Sequence, residues 1–152
     1  MLHGLWPQPR SKHDCSRKFH PLSNKFFNNL KKAMPSAISG LHKHEWRKHG
    51  SCYSKSETAY FNDAIILLNQ VNRSYIRNFF ILNRGKVVTK ESLNMAIKKS
   101  FGNVVRKVQM VCKKGLIMEI RSSLKGDARK DEISQLLNRA KPFRGGCQRG
   151  RI

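Results

Sequence analysis

Residues 41–52 read Leu-His-Lys-His-Glu-Trp-Arg-Lys-His-Gly-Ser-Cys, and the first nine of them hold three histidines, a glutamate and two lysines. On an α-helix at about 100° per residue, His44, Lys48, Glu45 and His49 fall at roughly 0°, 40°, 100° and 140°. All four leave one side of the helix. Trp46 and Arg47 point elsewhere, with Trp46 the apolar anchor toward a core. Imidazoles gain and lose protons near neutral pH, a carboxylate can orient one of them, and an ammonium can offset charge on a reacting group. The set is a proton-transfer and charge-stabilising cluster on a rigid element.

Zinc is the competing use of such residues. A metalloprotease helix needs two histidines four apart, with the glutamate directly after the first. Here His44-Glu45 is followed by a histidine five residues on, and Lys48 stands where the second ligand belongs. An ammonium has no lone pair to offer a cation, so no metal is expected. A solvated basic helix is the bland alternative.

The N-terminus weighs against that alternative. The chain opens Met-Leu-His-Gly-Leu-Trp-Pro, which adds His3 and Trp6. His-Gly-Leu-Trp-Pro, followed downstream by His-Glu-Trp-x-Lys-His-Gly-x-Cys, resembles the two active-site segments of the ribonuclease T2 family at every defining position. The likeness runs on with lower specificity through Leu22-Ser23, Met34-Pro35-Ser36, residues 89–102 and the last two cysteines.

The resemblance implies an endoribonuclease that uses no metal and no other cofactor and has RNA as its partner; nothing in the sequence indicates an oligomer, so a monomer is expected. The resemblance places His3, Glu45, Lys48 and His49 in catalysis, His44 on the substrate phosphate, and Trp6 against a base, where core packing is the alternative. It also makes His49 the base and His3 the acid. In many fungal members an aspartate follows the Trp-Pro pair where this chain has Gln8, and many relatives have an aromatic residue at the place of Leu41. Weak or broad base specificity is therefore expected.

The chemistry can be argued from the residues as well. Cutting RNA without a metal needs a base for the 2′-OH proton, an acid for the 5′-oxygen leaving group and a cation for charge building on phosphorus. Two histidines suit the first two tasks because an ordinary pKa of about 6.5 lets one be neutral while the other is protonated. Each positioned proton transfer is worth on the order of 10²–10⁴-fold. His3 and His49 form that pair, and Lys48 supplies the charge. Glu45 either hydrogen-bonds a phosphorane oxygen as the acid or orients a histidine as the carboxylate. The products would be a 2′,3′-cyclic phosphate and a 5′-OH. DNA, lacking the 2′ nucleophile, should bind and stay intact.

Composition sets the wider bounds. At 152 residues the chain suits one domain with a real core. Its 31 lysines and arginines against nine carboxylates give a net charge of +22, a field that draws in polyanions and makes binding salt-sensitive. No apolar run reaches the length of a membrane span. Four cysteines allow three pairings, of which the resemblance selects Cys15–Cys52 and Cys112–Cys147. Disulfides point to an oxidising compartment, so a secreted or periplasmic protein is expected although no signal peptide is evident. Family members carry a segment, including a strand, ahead of the first histidine, and this chain begins two residues before it. A truncated chain or a start codon assigned too late is the expectation, with a non-catalytic, nucleic-acid-binding remnant as the rival to the enzyme.

The elements that must hold these residues are mostly helical. Ser23 can cap a helix with Phe26, Phe27, Leu30 and Met34 inward, stopped by Pro35. Residues 7–21 read as a polar loop, residues 56–71 as a helix with Tyr60, Phe61, Ala64 and Ile65 on its apolar face, and residues 75–80 as another. Thr89 and Gly102 bracket a further helix. Residues 104–112 and 116–120 read as a hairpin around Lys113-Lys114-Gly115, residues 131–140 as a short helix, and the rest as a Gly/Arg-rich tail. Helices early and strands late predict an α+β fold, an antiparallel sheet packed with helices and short of its first strand.

Overall fold

The Ser23 hydroxyl accepts a hydrogen bond from the Phe26 N–H at 3.3 Å and so starts helix α1 (Asn24–Ala33), whose last turn carries Lys31 and Lys32. Capping supplies a partner to an N–H that the helix cannot satisfy itself, and the lysines oppose the negative end of the dipole. Pro35 ends the helix, and the chain makes one tight turn over Pro35–Ala37. Gly40, at a φ of 86°, turns it into α2 (Leu41–Glu45). A π-helical turn, Trp46–Gly50, continues α2 into α3 (Ser51–Tyr53), and α4 (Glu57–Arg73) follows.

These elements come from a computed structural model that describes residues 1–7, 15 and 18–152. Gln8 and most of the expected loop over residues 7–21 lie outside the described residues. The chain divides into two compact units, Met1–Leu68 and Asn69–Ile152.

In the first unit, Leu30, Met34, Ala37, Trp46, Tyr60, Phe61 and Ile65 form the buried cluster, with Leu2, Leu5, Phe19 and Leu41 packed against it. Burying an aliphatic or Phe side chain is worth about 1.5–3 kcal/mol over leaving it in water. Trp46 goes inward as its helical position implied, with its indole N–H donating to the Lys18 carbonyl at 3.3 Å. Cys15 is bonded to Cys52 in α3, with Cα atoms 4.7 Å apart.

The second unit holds α5 (Tyr75–Leu82), β1 (Val87–Thr89), α6 (Lys90–Phe101), β2 (Val108–Lys113), β3 (Leu116–Ser122), α7 (Ile133–Arg139) and β4 (Arg149–Arg151). Thr89 and Ser92 cap α6 reciprocally, and Gly102 at φ 79° ends it. The four strands form one sheet in the order β1-β4-β3-β2. β2 and β3 pair antiparallel across Lys114 (φ 50°) and Gly115 (φ 78°), two positive-φ residues as a tight hairpin turn requires. β1 and β4 also pair antiparallel, while β4 meets β3 in parallel at Leu116 and Arg151.

Three details differ from the sequence expectation, one being that residues 87–89, for which no strand was expected, form β1. The first hairpin strand starts at Val108, because residues 105–107 wind into a tight helical turn. The expected C-terminal tail supplies β4, pinned by the Cys112–Cys147 disulfide and by the Cys147 N–H on the Met110 carbonyl. Gly150 is needed there, since a Cβ would overlap Ile117 and the Cys112 sulfur at under 3 Å. The class is α+β. No helix among the described residues is long and apolar enough to cross a membrane.

Candidate active site

The π-helical turn sets the geometry of the central segment. Its Ser51 N–H reaches back five residues to the Trp46 carbonyl. Such a turn advances each residue by less than the α-helical angle. His49 therefore swings back toward Glu45 and His44, and the arc expected for a straight α-helix narrows.

Glu45 is the buried pivot, with 2% of its surface exposed. Its Oε2 accepts a hydrogen bond from the Trp6 indole N–H at 2.7 Å. Its Oε1 lies 3.4 Å from His3 Nε2, an ion pair whenever that imidazole is protonated. A buried carboxylate is tolerable only when such partners replace its water. Gly4 allows the approach, because a Cβ at that position would overlap Glu45 Oε2 and stand 3.2 Å from the Tyr60 hydroxyl. Gly50 does the same for the other segment, where a Cβ would come within 2.7 Å of both Trp46 and Tyr60.

The N-terminal segment is tied down at three further points. The Leu2 N–H donates to the Ala33 carbonyl at 2.8 Å. The Tyr60 hydroxyl accepts from the Leu5 N–H at 3.1 Å and donates to the Leu5 carbonyl at 2.8 Å. Burial, eased by the Leu5 hydrogen bond and reinforced by Glu45, holds the Tyr60 phenol well above its ordinary pKa, so it remains a donor.

Trp6 is in ring contact with both histidines. Its ring lies 5.2 Å from His3, edge to face, and 5.5 Å from His49 at a tilt of 32°. More than a third of Trp6 stays exposed. Burial lowers the His49 pKa, Glu45 opposes that shift, and Lys48, His44 and His3 add to it. His44 and Lys48 are therefore electrostatic neighbours of His49, and both are solvent-exposed. All six residues singled out in the sequence, His3, Trp6, His44, Glu45, Lys48 and His49, belong to one cluster in the first unit. A site with an imidazole whose pKa burial lowers, a second imidazole on a buried carboxylate and surface cations can relay protons across a bound anion.

Sequence reasoning missed two contributors. Tyr60 sits in an aromatic stripe at helical spacing, and nothing in that pattern distinguishes a phenol that bonds a backbone from one that fills a core. Gly4 gave no signal beyond its place in the motif. The first histidine of the stretch, His42, stands apart from the cluster. It is buried against Phe19, Phe27 and Phe61, its Nδ1 has no partner among the described residues, and burial lowers its pKa.

The fold and the cluster agree with what the chain matches. A model of the Ribonuclease T2 family covers residues 1–135. Ribonuclease I of Escherichia coli (strain K12) is 30% identical over 146 residues, which is 93% of this chain and 54% of that protein. Extracellular ribonuclease LE of Solanum lycopersicum is 31% identical over 117 residues, or 66% of this chain and 51% of its own length. Intracellular ribonuclease LX of the same plant is 29% identical over 120 residues, with shares of 67% and 49%. The chain belongs to the ribonuclease T2 family. It spans about half the length of the curated relatives it matches.

Proposed function

We propose that this protein is a metal-independent endoribonuclease that cleaves single-stranded RNA by transesterification. The observation that carries the reading is the placement of His3 and His49 with their rings 5.2 Å and 5.5 Å from that of Trp6, with Glu45 holding both Trp6 and His3. His49, whose neutral form is favoured by burial, takes the proton of the 2′-OH. The 2′-oxygen bonds to phosphorus, the bond from phosphorus to the 5′-oxygen breaks, and His3 delivers a proton to that oxygen. A 2′,3′-cyclic phosphate and a 5′-OH result, with no net change in protons.

The two contacts of Glu45 favour its role as an ionised orienting group over that of an acid toward phosphorus. Lys48 and His44 face solvent, where the RNA backbone would lie, and bind its non-bridging oxygens. Charge placed in advance where the phosphorane forms is the largest contribution such a site can make. The exposed part of Trp6 offers a base a stacking surface. The hydrogen bonds on Leu2, Leu5 and Trp6 support the enzyme over the binding-only remnant, because they fix the histidine nearest the chain start. Two disulfides support folding in an oxidising compartment, secreted or periplasmic.

The test pairs a short RNA with its DNA counterpart, in EDTA, with the oxidised chain and its His3→Ala and His49→Ala variants. Cleavage of the RNA alone, with cyclic phosphate ends and loss of about 10²–10⁴-fold in each variant, is the expected outcome. Binding without cleavage would favour the remnant, and loss of activity in EDTA would refute the metal-free mechanism.

A further inference from the structure

The second unit contains a cavity of about 360 Å³ lined by Lys90, Asn94, Arg106, Gln109, Phe143 and Arg144. We propose that this cavity is an accessory binding site for one nucleotide unit of single-stranded RNA, its phosphate held by the three cations and its base set against Phe143 and Gln109. The proposal rests on the RNA reading above for the identity of the polymer, and on its own geometry for the site.

Four separate pieces of chain build the walls. Lys90 and Asn94 stand one turn apart on α6, Arg106 comes from the helical turn before β2, Gln109 from β2, and Phe143 and Arg144 from the segment leading to β4. That segment is fastened rather than loose. The Phe143 N–H donates to the Arg106 carbonyl at 2.9 Å, the Cys147 N–H to the Met110 carbonyl at 3.1 Å, and the Lys90 N–H to the Gln148 carbonyl at 2.7 Å. The Cys112–Cys147 disulfide closes the same region. A preformed cavity near the lower end of the usual ligand-site range suits one nucleotide, not an extended strand.

The charges in the cavity have no internal use. Among the described residues no carboxylate pairs with Lys90, Arg106 or Arg144. The second unit carries 20 of the 31 basic residues and only five of the nine carboxylates, so three convergent cations repel one another inside an already positive region. A bound phosphate removes that repulsion and forms charge-assisted hydrogen bonds. Gln109 adds a second unmet need, since its Oε1 is buried and has no hydrogen-bond partner among the described residues. An orphaned acceptor is costly. A base amino or ring N–H that entered the cavity and drew the amide round would supply the missing donor, while Phe143 gives the base an apolar face. Lipid phosphate or an acidic protein would use the cations but leave Phe143 and Gln109 idle.

The test uses the oxidised full chain and a short 2′-O-methyl oligoribonucleotide, which the transesterification cannot cut. Arg106→Gln with Arg144→Gln should weaken binding about tenfold and flatten the plot of log K against log salt by about 0.7 per lost phosphate contact. Lys113→Gln with Lys114→Gln, the same charge change at the hairpin turn, should have less than half that effect. Phe143→Leu, which keeps the site apolar, should weaken binding by several-fold, and Phe143→Tyr should not. Equal losses in the two charge pairs, or a polyphosphate of equal charge that binds as tightly and is indifferent to Phe143→Leu, would overturn the proposal. Cleavage of an ordinary RNA dinucleotide is measured alongside and should be unchanged in every variant. A chain that cuts the dinucleotide while its oligomer binding ignores the cavity refutes the cavity alone. A chain that binds through the cavity and cuts nothing refutes the nuclease alone.

Discussion

The Tyr60 hydroxyl makes two hydrogen bonds to one residue, accepting from the Leu5 N–H and donating to the Leu5 carbonyl. A side chain on α4 thereby fixes the backbone between His3 and Trp6. Tyr60→Phe keeps the ring in the core and leaves both Leu5 groups unpaired. Each orphaned backbone group costs about 1–3 kcal/mol, so urea unfolding should show a loss of that order. Misplacing His3 by a fraction of its contact distance should also lower kcat by up to about 10²-fold, with far-UV circular dichroism unchanged.

Gly4→Ala tests the same joint by steric means. The new Cβ overlaps Glu45 Oε2, so the N-terminal segment and the carboxylate must part. The bonds from Trp6 and His3 to Glu45 should loosen together, and kcat/KM on a dinucleotide should fall by about 10²-fold or more. Activity equal to that of the parent chain would mean that Glu45 is not held by this approach.

The charges around His49 make opposite predictions for two substitutions. Lys48 lowers the His49 pKa and Glu45 raises it. The base works when neutral, so the acid limb of kcat/KM against pH follows this group. Lys48→Gln should move that limb to higher pH, and Glu45→Gln to lower pH. Lys48→Gln should also reduce the rate by about 10²–10³-fold, as loss of a preorganised charge does. Shifts in the same direction would show that the limb belongs to another group.

His42 should make stability depend on pH. Burial, its first cause, and the neighbouring Lys43 lower its pKa from 6.5, while the nearby Ala37 backbone works the other way. The unfolded chain thus binds a proton that the folded chain resists. The stabilisation is complete above about pH 6.5 and is lost as pH falls from there through the folded value. Glu57 acts in a lower window. Burial raises its pKa, but hydrogen bonds from the His20 N–H, its own backbone and the His20 ring bring it below 4.5, so its contribution is lost on further acidification. Urea midpoints of His42→Phe, which fits the surrounding phenylalanines, should decline less between pH 7 and pH 5 than those of the parent chain, the remainder coming from His49, whose pKa is lowered in the same way.

The helices were legible because their boundaries are written in local chemistry. Ser23, Pro35, Thr89 and Gly102 each mark an end by a cap or a break, and the apolar spacing between them is regular. The strands at the sheet's edge and centre were not. Val87–Thr89 is too short to show alternation, and Arg149–Arg151 has a composition that disfavours strands. Its place depends on β1, β3 and the disulfide, all distant in sequence. The cluster's membership could be read from residue types and two motif segments, since His3, Trp6, Glu45 and His49 do come together. Its precise geometry could not, because a π turn leaves no periodicity of its own and Tyr60 resembles any core aromatic.

Leaving-group rescue separates the roles of the two histidines. A dinucleotide whose bridging 5′-oxygen is replaced by sulfur departs as a thiolate and needs no acid. With this substrate, His3→Ala should recover to within about tenfold of the parent chain, while His49→Ala stays impaired by about 10²–10⁴-fold. Rescue of His49→Ala instead, or of neither variant, would contradict the assignment of His3 as acid and His49 as base.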